Sequence, residues 1–194
     1  MKPIDVSFFH QPTLELAEKL IGKYIVHEHT SGLLIGKIVE TEAYMGAEDR
    51  AAHSFGNRRT KRTEVMFGEP GLIYTYQMHT HTLINVVSGV VGTPNAILIR
   101  AVEPIEGLVL MKEFRNNLPM KQWTNGPGKL TKAMAISMEY YGKCWSEKPL
   151  YIAEGEQVTS ISTGPRIGIE NSGEAVHYPY RYWETNNTYV SKTR

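Results

Sequence analysis

The feature that most limits the fold of this chain is a series of short runs in which apolar and polar residues take turns, each closed by a turn-forming residue. Residues 24–29 and 33–44 make one such pair, joined through Ser31-Gly32. Residues 72–78 and 83–87 make another, entered from Pro70-Gly71 and joined by His79-Thr80-His81-Thr82, and residues 96–102 continue the pattern. A period of two sends successive side chains to opposite faces of a pleated strand. Helical stretches are fewer. Thr13-Leu14-Glu15-Leu16-Ala17-Glu18-Lys19-Leu20-Ile21 follows Pro12 as a short amphipathic helix that Gly22 is placed to end. Glu103-Pro104 is expected to open a helix running to about Arg115, with Leu108, Met111 and Phe114 or Arg115 facing inward. A shorter helix is expected from near Lys129, after Gly126-Pro127-Gly128, to Ile136, with further strands at 150–153 and 166–169. Residues 45–65 are polar, basic and weakly periodic, and read as a long surface excursion, a length of loop that usually has a task. Strands and helices mix without regular βαβ alternation. The expectation is therefore an α+β fold: one domain over 1–194, a curved, mainly antiparallel β-sheet, surrounding helices and a protruding β-hairpin.

Composition narrows the setting. The 194 residues suffice for one sizeable core, with 41% hydrophobic and 21% charged residues as in ordinary globular proteins. No apolar run approaches the ~20 residues that span a bilayer, and Met1-Lys2-Pro3-Ile4-Asp5 lacks the apolar stretch of a secretory signal. Cys144 is the only cysteine, so no intrachain disulfide can form. A soluble, cytoplasmic monomer without membrane contact is expected, near the nucleoid if the source is bacterial. A formal charge of +1 does not by itself nominate a nucleic-acid binder, so any electrostatic footprint must be local. Arg58, Arg59, Lys61 and Arg62 form one such cluster, which on its own reads as a solvated basic loop.

Candidate chemistry is concentrated near the end of the second run. Alternation places Glu40, Glu42 and Tyr44 on one face and Thr41 and Ala43 on the other. Two carboxylates about 7 Å apart along a strand suit acid/base work, and equally a solvated strand face. His53 follows the small residues Ala51-Ala52, which permit close backbone approach. His79 and His81, two apart, are able to face one way and hold a metal, but no third ligand stands at a recognisable spacing and neither HExxH nor CxxC occurs. GxSxG, GxxxxGK[ST] and GxGxxG are absent as well.

The run from Ile38-Val39-Glu40-Thr41-Glu42-Ala43-Tyr44 through Asp49-Arg50-Ala51-Ala52-His53-Ser54 resembles the signature of the alkyladenine (3-methyladenine) DNA glycosylases. The resemblance continues at Met66-Phe67, Pro70-Gly71, Tyr74-Thr75-Tyr76, Asn85 and Leu98-Ile99-Arg100-Ala101-Val102-Glu103-Pro104. It resumes at Asn125-Gly126-Pro127-Gly128-Lys129-Leu130 and at Pro165-Arg166-Ile167-Gly168-Ile169. Ordered motifs in register over nearly the whole chain are far more specific than any one of them.

The resemblance implies a base excision repair enzyme. It would flip alkylated or deaminated purines (3-methyladenine, 7-methylguanine, hypoxanthine, ethenoadenine) from duplex DNA and hydrolyse the N-glycosidic bond without lyase activity, cofactor or metal. Tyr44 is then expected on one side of the flipped base and Tyr76 and His53 on the other, with Tyr74 supporting His53. Stacking on an aromatic ring is worth about 1–3 kcal/mol per base, and a ring face attracts the cationic base that N-alkylation produces. Glu42 matches the catalytic position. With an ordinary glutamate pKa of about 4.3 it is ionised at neutral pH and able to take a proton from water. Arg100 matches the arginine that helps position that water, and Asn85 a residue that rejects guanine by crowding its exocyclic amine. The basic loop Arg58–Arg62 becomes a phosphate contact. The hairpin tip departs from the family pattern: Met78-His79-Thr80-His81 stands where Tyr-Gly-Met is usual, with one residue fewer before Asn85. Met78 or His79 is therefore expected to fill the step that the flipped base leaves. Two rivals remain, a metal-dependent hydrolase built on Glu40, Glu42, His53, His79 and His81, and a non-catalytic nucleic-acid-binding module.

Overall fold

The computed structural model describes residues 1–191. Eight strands form one antiparallel sheet: β1 (Tyr24–His29), β2 (Gly32–Tyr44), β3 (Ile73–Met78), β4 (His81–Ser88), β5 (Asn95–Glu106), β6 (Leu150–Ala153), β7 (Ile161–Gly164) and β8 (Arg181–Glu184). Their order is β3-β4-β5-β2-β1-β6, and β7 joins through β8, which pairs with β2. The long strand β2 explains the curl. One of its edges carries β5 from Ile35 to Tyr44; the other carries β1 as far as Lys37 and then β8 from Glu40 to Glu42.

Two successive bulges lie where that exchange happens. Ile38 pairs with Val102 and Glu40 with Ala101, so Val39 is extra on β2; Glu40 pairs with Ala101 and Thr41 with Ile99, so Arg100 is extra on β5. Bulges bend a strand, sharpen its twist and re-aim a side chain.

Among the described residues three α-helices, α1 (Thr13–Lys19), α2 (Leu108–Phe114) and α3 (Pro127–Ala133), accompany the sheet. The main core joins Leu16, Ala17 and Leu130 of the helices to Ala43, Ile73, Ile84, Val86, Ile97 and Ile99 of the strands. Thr41 belongs to the same face, its hydroxyl donating to the Ala17 carbonyl of α1 at 2.8 Å. The intervening residues Tyr74, Tyr76, Leu83, Ala96 and Leu98 point the other way and form a second cluster against Val65 and Met66. The period of two seen in the sequence thus sorts each strand between a helix-covered core and a separate aromatic face.

Several expectations are corrected. Glu103-Pro104 does not open a helix. β5 runs on to Glu106, and the turn at Gly107, with φ 80°, precedes α2. Pro104, which has no N–H to give, pairs with Gly36 beside a register shift, where a ladder tolerates it. Within α2, Met111 is buried, but Leu108 is 38% exposed. The helix expected from Lys129 begins earlier, with Pro127 in its first turn, and ends by Ala133. The expected strand at 166–169 is irregular backbone with Gly168 at φ 78°. The hairpin tip is shorter than expected: only His79-Thr80 turns, with His79 at φ 53°, and His81 already pairs with Met78. Residues 45–65 are a surface excursion only in part. Its 55–62 portion is exposed, whereas Asp49, Ala52, Ser54 and Thr63 are buried among short 3-10 turns. Among the described residues no helix is long and apolar enough to cross a membrane.

Candidate active site

The aromatic face of the sheet frames a cavity of about 380 Å³, within the range usual for small-molecule sites. Tyr44 of β2, Tyr76 of β3, Asn85 of β4 and Leu98 and Arg100 of β5 contribute to its lining, and His53 enters from the 45–65 segment. Each strand residue sits on the same parity as its cavity-facing neighbours, so period-two geometry alone brings these four strands' contributions together.

The aromatic groups brace one another. The His53 ring lies 4.5 Å from that of Tyr76, edge to face, and its Nδ1 is 2.8 Å from the Tyr74 hydroxyl. Tyr74 in turn stacks beside Tyr76 at 5.4 Å. Burial, helped by the charge of Arg62, pushes His53 down to about 4, so this wall is neutral near pH 7. Burial also raises Tyr76 to about 12 and pushes Tyr44 well above the ordinary phenol value, keeping both as phenols. The Asn85 amide is oriented by donating from Nδ2 to the Tyr74 carbonyl at 2.9 Å.

Glu42 lies directly behind this lining and is fully buried. The groups that touch it do line the cavity: Arg100 Nη1 donates to Oε2 at 3.1 Å, the Tyr44 hydroxyl to Oε2 at 2.8 Å and the Ile167 amide to Oε1 at 2.7 Å. A carboxylate has roughly four acceptor positions, and these donors occupy three of them. Burial, the dominant influence, pushes Glu42 above the usual carboxylate range, while Arg100, the Ile167 amide and the Tyr44 hydroxyl pull it down and Glu40 adds to the push. This corrects the expectation of an ordinary pKa: Glu42 is a stronger proton acceptor than a solvated glutamate.

Glu40, two residues earlier, differs in one decisive respect. Arg100 Nε, Arg181 Nε and the Ser191 hydroxyl donate to its Oε1, and the Ser191 amide to its Oε2. Its Oε1 thus carries three donors and its Oε2 one, and of these donors only Arg100 lines the cavity. Glu40 is a structural counter-ion that holds Arg100, whereas every donor to Glu42 belongs to the cavity wall.

The remaining candidates lie at the rim or outside it. Met78 lines the cavity mouth at 45% exposure, and His79 is exposed at the tip. Arg58, Arg59, Lys61 and Arg62 are all exposed. Arg62 reaches over the Tyr76 ring, whereas Arg59 is committed to a two-point pair with Glu64. Among the described residues no group of three or more His, Cys, Asp or Glu side chains assembles as a metal site, so the hydrolase rival has no ligand set. Sequence reading gave no role to Arg166, Asp49 or Ile167. Their only signal was the resemblance, at 165–169 for Arg166 and Ile167 and at 49–54 for Asp49, and Ile167 acts through its backbone.

The methylpurine-DNA glycosylase (MPG) family model matches residues 7–188. A protein of Bacillus velezensis named "Putative 3-methyladenine DNA glycosylase" is 62% identical over 191 residues, covering 98% of this chain and 97% of its own. A Bacillus subtilis protein of the same name is 58% identical over 190 residues, with 98% and 97% coverage. A Listeria monocytogenes protein, also so named, is 47% identical over 188 residues, with 96% and 91% coverage. A DNA glycosylase signature that runs through the sheet, the cavity lining and the loops behind it leaves one assignment: the chain belongs to the methylpurine-DNA glycosylase family.

Proposed function

We propose that this DNA glycosylase excises alkylated and deaminated purines (3-methyladenine, 7-methylguanine, hypoxanthine and ethenoadenine) from duplex DNA by simple hydrolysis, with Glu42 as the base. The observation that carries the reading is a fully buried carboxylate with one acceptor position left, set behind an aromatic slot and touching an arginine that faces into it. The flipped base enters between Tyr44 on one side and His53 and Tyr76 on the other, where stacking contributes about 1–3 kcal/mol. The neutral His53 does not repel a cationic purine. Arg100 holds a water toward Glu42. As the water oxygen bonds to C1′ of the deoxyribose, the C1′–N bond breaks, its electron pair leaves with the base, and the water proton passes to Glu42. The cationic base departs neutral, whereas hypoxanthine or ethenoadenine leaves as an anion and takes up a proton from water to complete its release. Among the described residues no lysine lines the cavity, which supports hydrolysis without strand cleavage.

Asn85 opposes the exocyclic amine of guanine from the cavity wall. Arg58, Lys61 and Arg62 reach phosphates, with Arg59 contributing less because Glu64 already holds it. Met78 and His79 fill the emptied base step; replacing both by alanine lowers affinity for lesion-bearing duplex at unchanged thermal stability, and unaltered affinity removes them from that role. The test of the central reading is single-turnover base release by Glu42→Gln. The expected loss is about 10²–10⁴-fold, and equal release by the two proteins rejects Glu42 as base.

A further inference from the structure

Arg166 is wholly buried, as is its partner Asp49. Its guanidinium forks onto both Asp49 oxygens at 2.5 and 2.8 Å, the bidentate geometry that gives arginine–carboxylate pairs their rigidity. Asp49 is itself fixed by the amides of Met45 and Ala51, in the segment that leads to His53. From this anchor Arg166 and Ile167 grip successive residues of β2. The Ile167 amide holds the Glu42 carboxylate at 2.7 Å. Arg166 Nη1 holds the Ala43 carbonyl at 2.8 Å. The Arg166 guanidinium lies 4.6 Å from the centre of the Tyr44 ring and, being buried and absent from the cavity lining, lies behind that ring. The β8 ladder reaches Glu42 through Arg181, and one further bond runs from the Ala43 amide to the Tyr180 carbonyl at 2.8 Å. The Arg166-Ile167 pair takes over where that ladder stops.

We propose that Arg166 is a positioning residue for base excision: anchored by Asp49, it fixes the Tyr44 wall and, through the adjoining Ile167 amide, the reactive carboxylate of Glu42. The proposal rests on the assignment of Glu42 as base. Its function is distinct from that of Arg100, which faces the cavity. Asp49 neutralises Arg166 locally, so a rigid wall is obtained without adding positive charge behind a slot meant for cationic bases. An amide donating to an ionised carboxylate favours that form. Loosening the loop that presents Ile167 therefore raises the pH at which Glu42 takes up a proton.

The experiment is single-turnover excision of 7-methylguanine from a duplex as a function of pH, for wild type, Arg166→Lys and Glu42→Gln. This base is cationic throughout the acid range, so the acid limb reports the enzyme. Arg166→Lys keeps a charge beside Asp49 but loses the planar fork. The expected result is a fall of about tenfold in rate, the worth of one hydrogen bond to a charged group, together with an acid limb displaced to higher pH. A purely structural part for Arg166 would lower the rate alike at every pH and leave the limb in place, and that outcome overturns the proposal. Should the lysine variant not fold, the double variant Asp49→Asn with Arg166→Gln removes both charges together and carries the same expectation. Wild-type activity in Glu42→Gln removes the underlying assignment. An inactive Glu42→Gln with an unmoved limb in the Arg166 variant rejects the positioning role alone.

Discussion

β2 carries two charge clusters, and they are built alike. Near its start Lys37 meets Glu103, Glu156 and Glu184 at 3.0–3.3 Å; nearer its end Arg100 meets Glu40 and Glu42 at 3.2 and 3.1 Å. Each joins β2 to β5 and to a segment from late in the chain. The carboxylates around Lys37 are 32%, 58% and 21% exposed, so water solvates them and the cluster only fastens strands together. Those around Arg100 have no exposure at all, and an aromatic cavity adjoins them. A crowd of opposite charges does not make a reactive site. Removal from water beside a space that admits a ligand does, because it raises the energy of a charged group that the reaction can relieve.

The sharpest way to break this contrast is Glu40→Gln. It leaves Arg100 and Arg181 without their shared counter-ion in a dry interior and is expected to cost about 3–5 kcal/mol of stability by urea denaturation; a cost below about 1 kcal/mol would place the two clusters in one class. Lys37→Met should cost less, about 1–2 kcal/mol, because Lys37 is buried but its carboxylates keep their access to water, with the excision rate unchanged, and a marked loss of rate would show that the outer cluster reaches the site. The smallest effect concerns salt. Raising ionic strength should shrink the penalty of Lys37→Met while leaving that of Glu40→Gln nearly intact, since screening acts mainly on exposed charges.

The sequence carried the sheet and the parity of its residues because alternation is local. Glu42, Tyr44, Tyr76, Asn85 and Arg100 follow from it once the strands pair. What it did not carry depends on distant or backbone partners. Glu40 and Glu42 look equivalent in the chain, and what separates them is donors from Arg181 and Ser191, 141 and 151 positions away from Glu40. Residues 166–169 alternate like a strand because Ile167 and Ile169 flank Gly168, yet the left-handed glycine breaks the run and frees the Ile167 amide to turn inward. The assignment of Glu103-Pro104 to a helix followed proline's fitness for a first turn; strand pairing across the bulged ladder outweighed it. The family resemblance had marked 165–169 without giving the physical reason for it.

The double bulge has a consequence for anyone reshaping the slot. Ahead of Arg100 the parity of β5 sends Ile97 and Ile99 to the helices and Ala96 and Leu98 to the ligand side. Deleting one residue within this run slips the side chains on one side of the deletion to the opposite face, exchanging the greasy interior for the lesion-facing surface in a single edit. Room for a bulkier or smaller lesion can thus be gained by substitution at Leu98 or Ala96, whereas trimming the strand would turn the enzyme inside out.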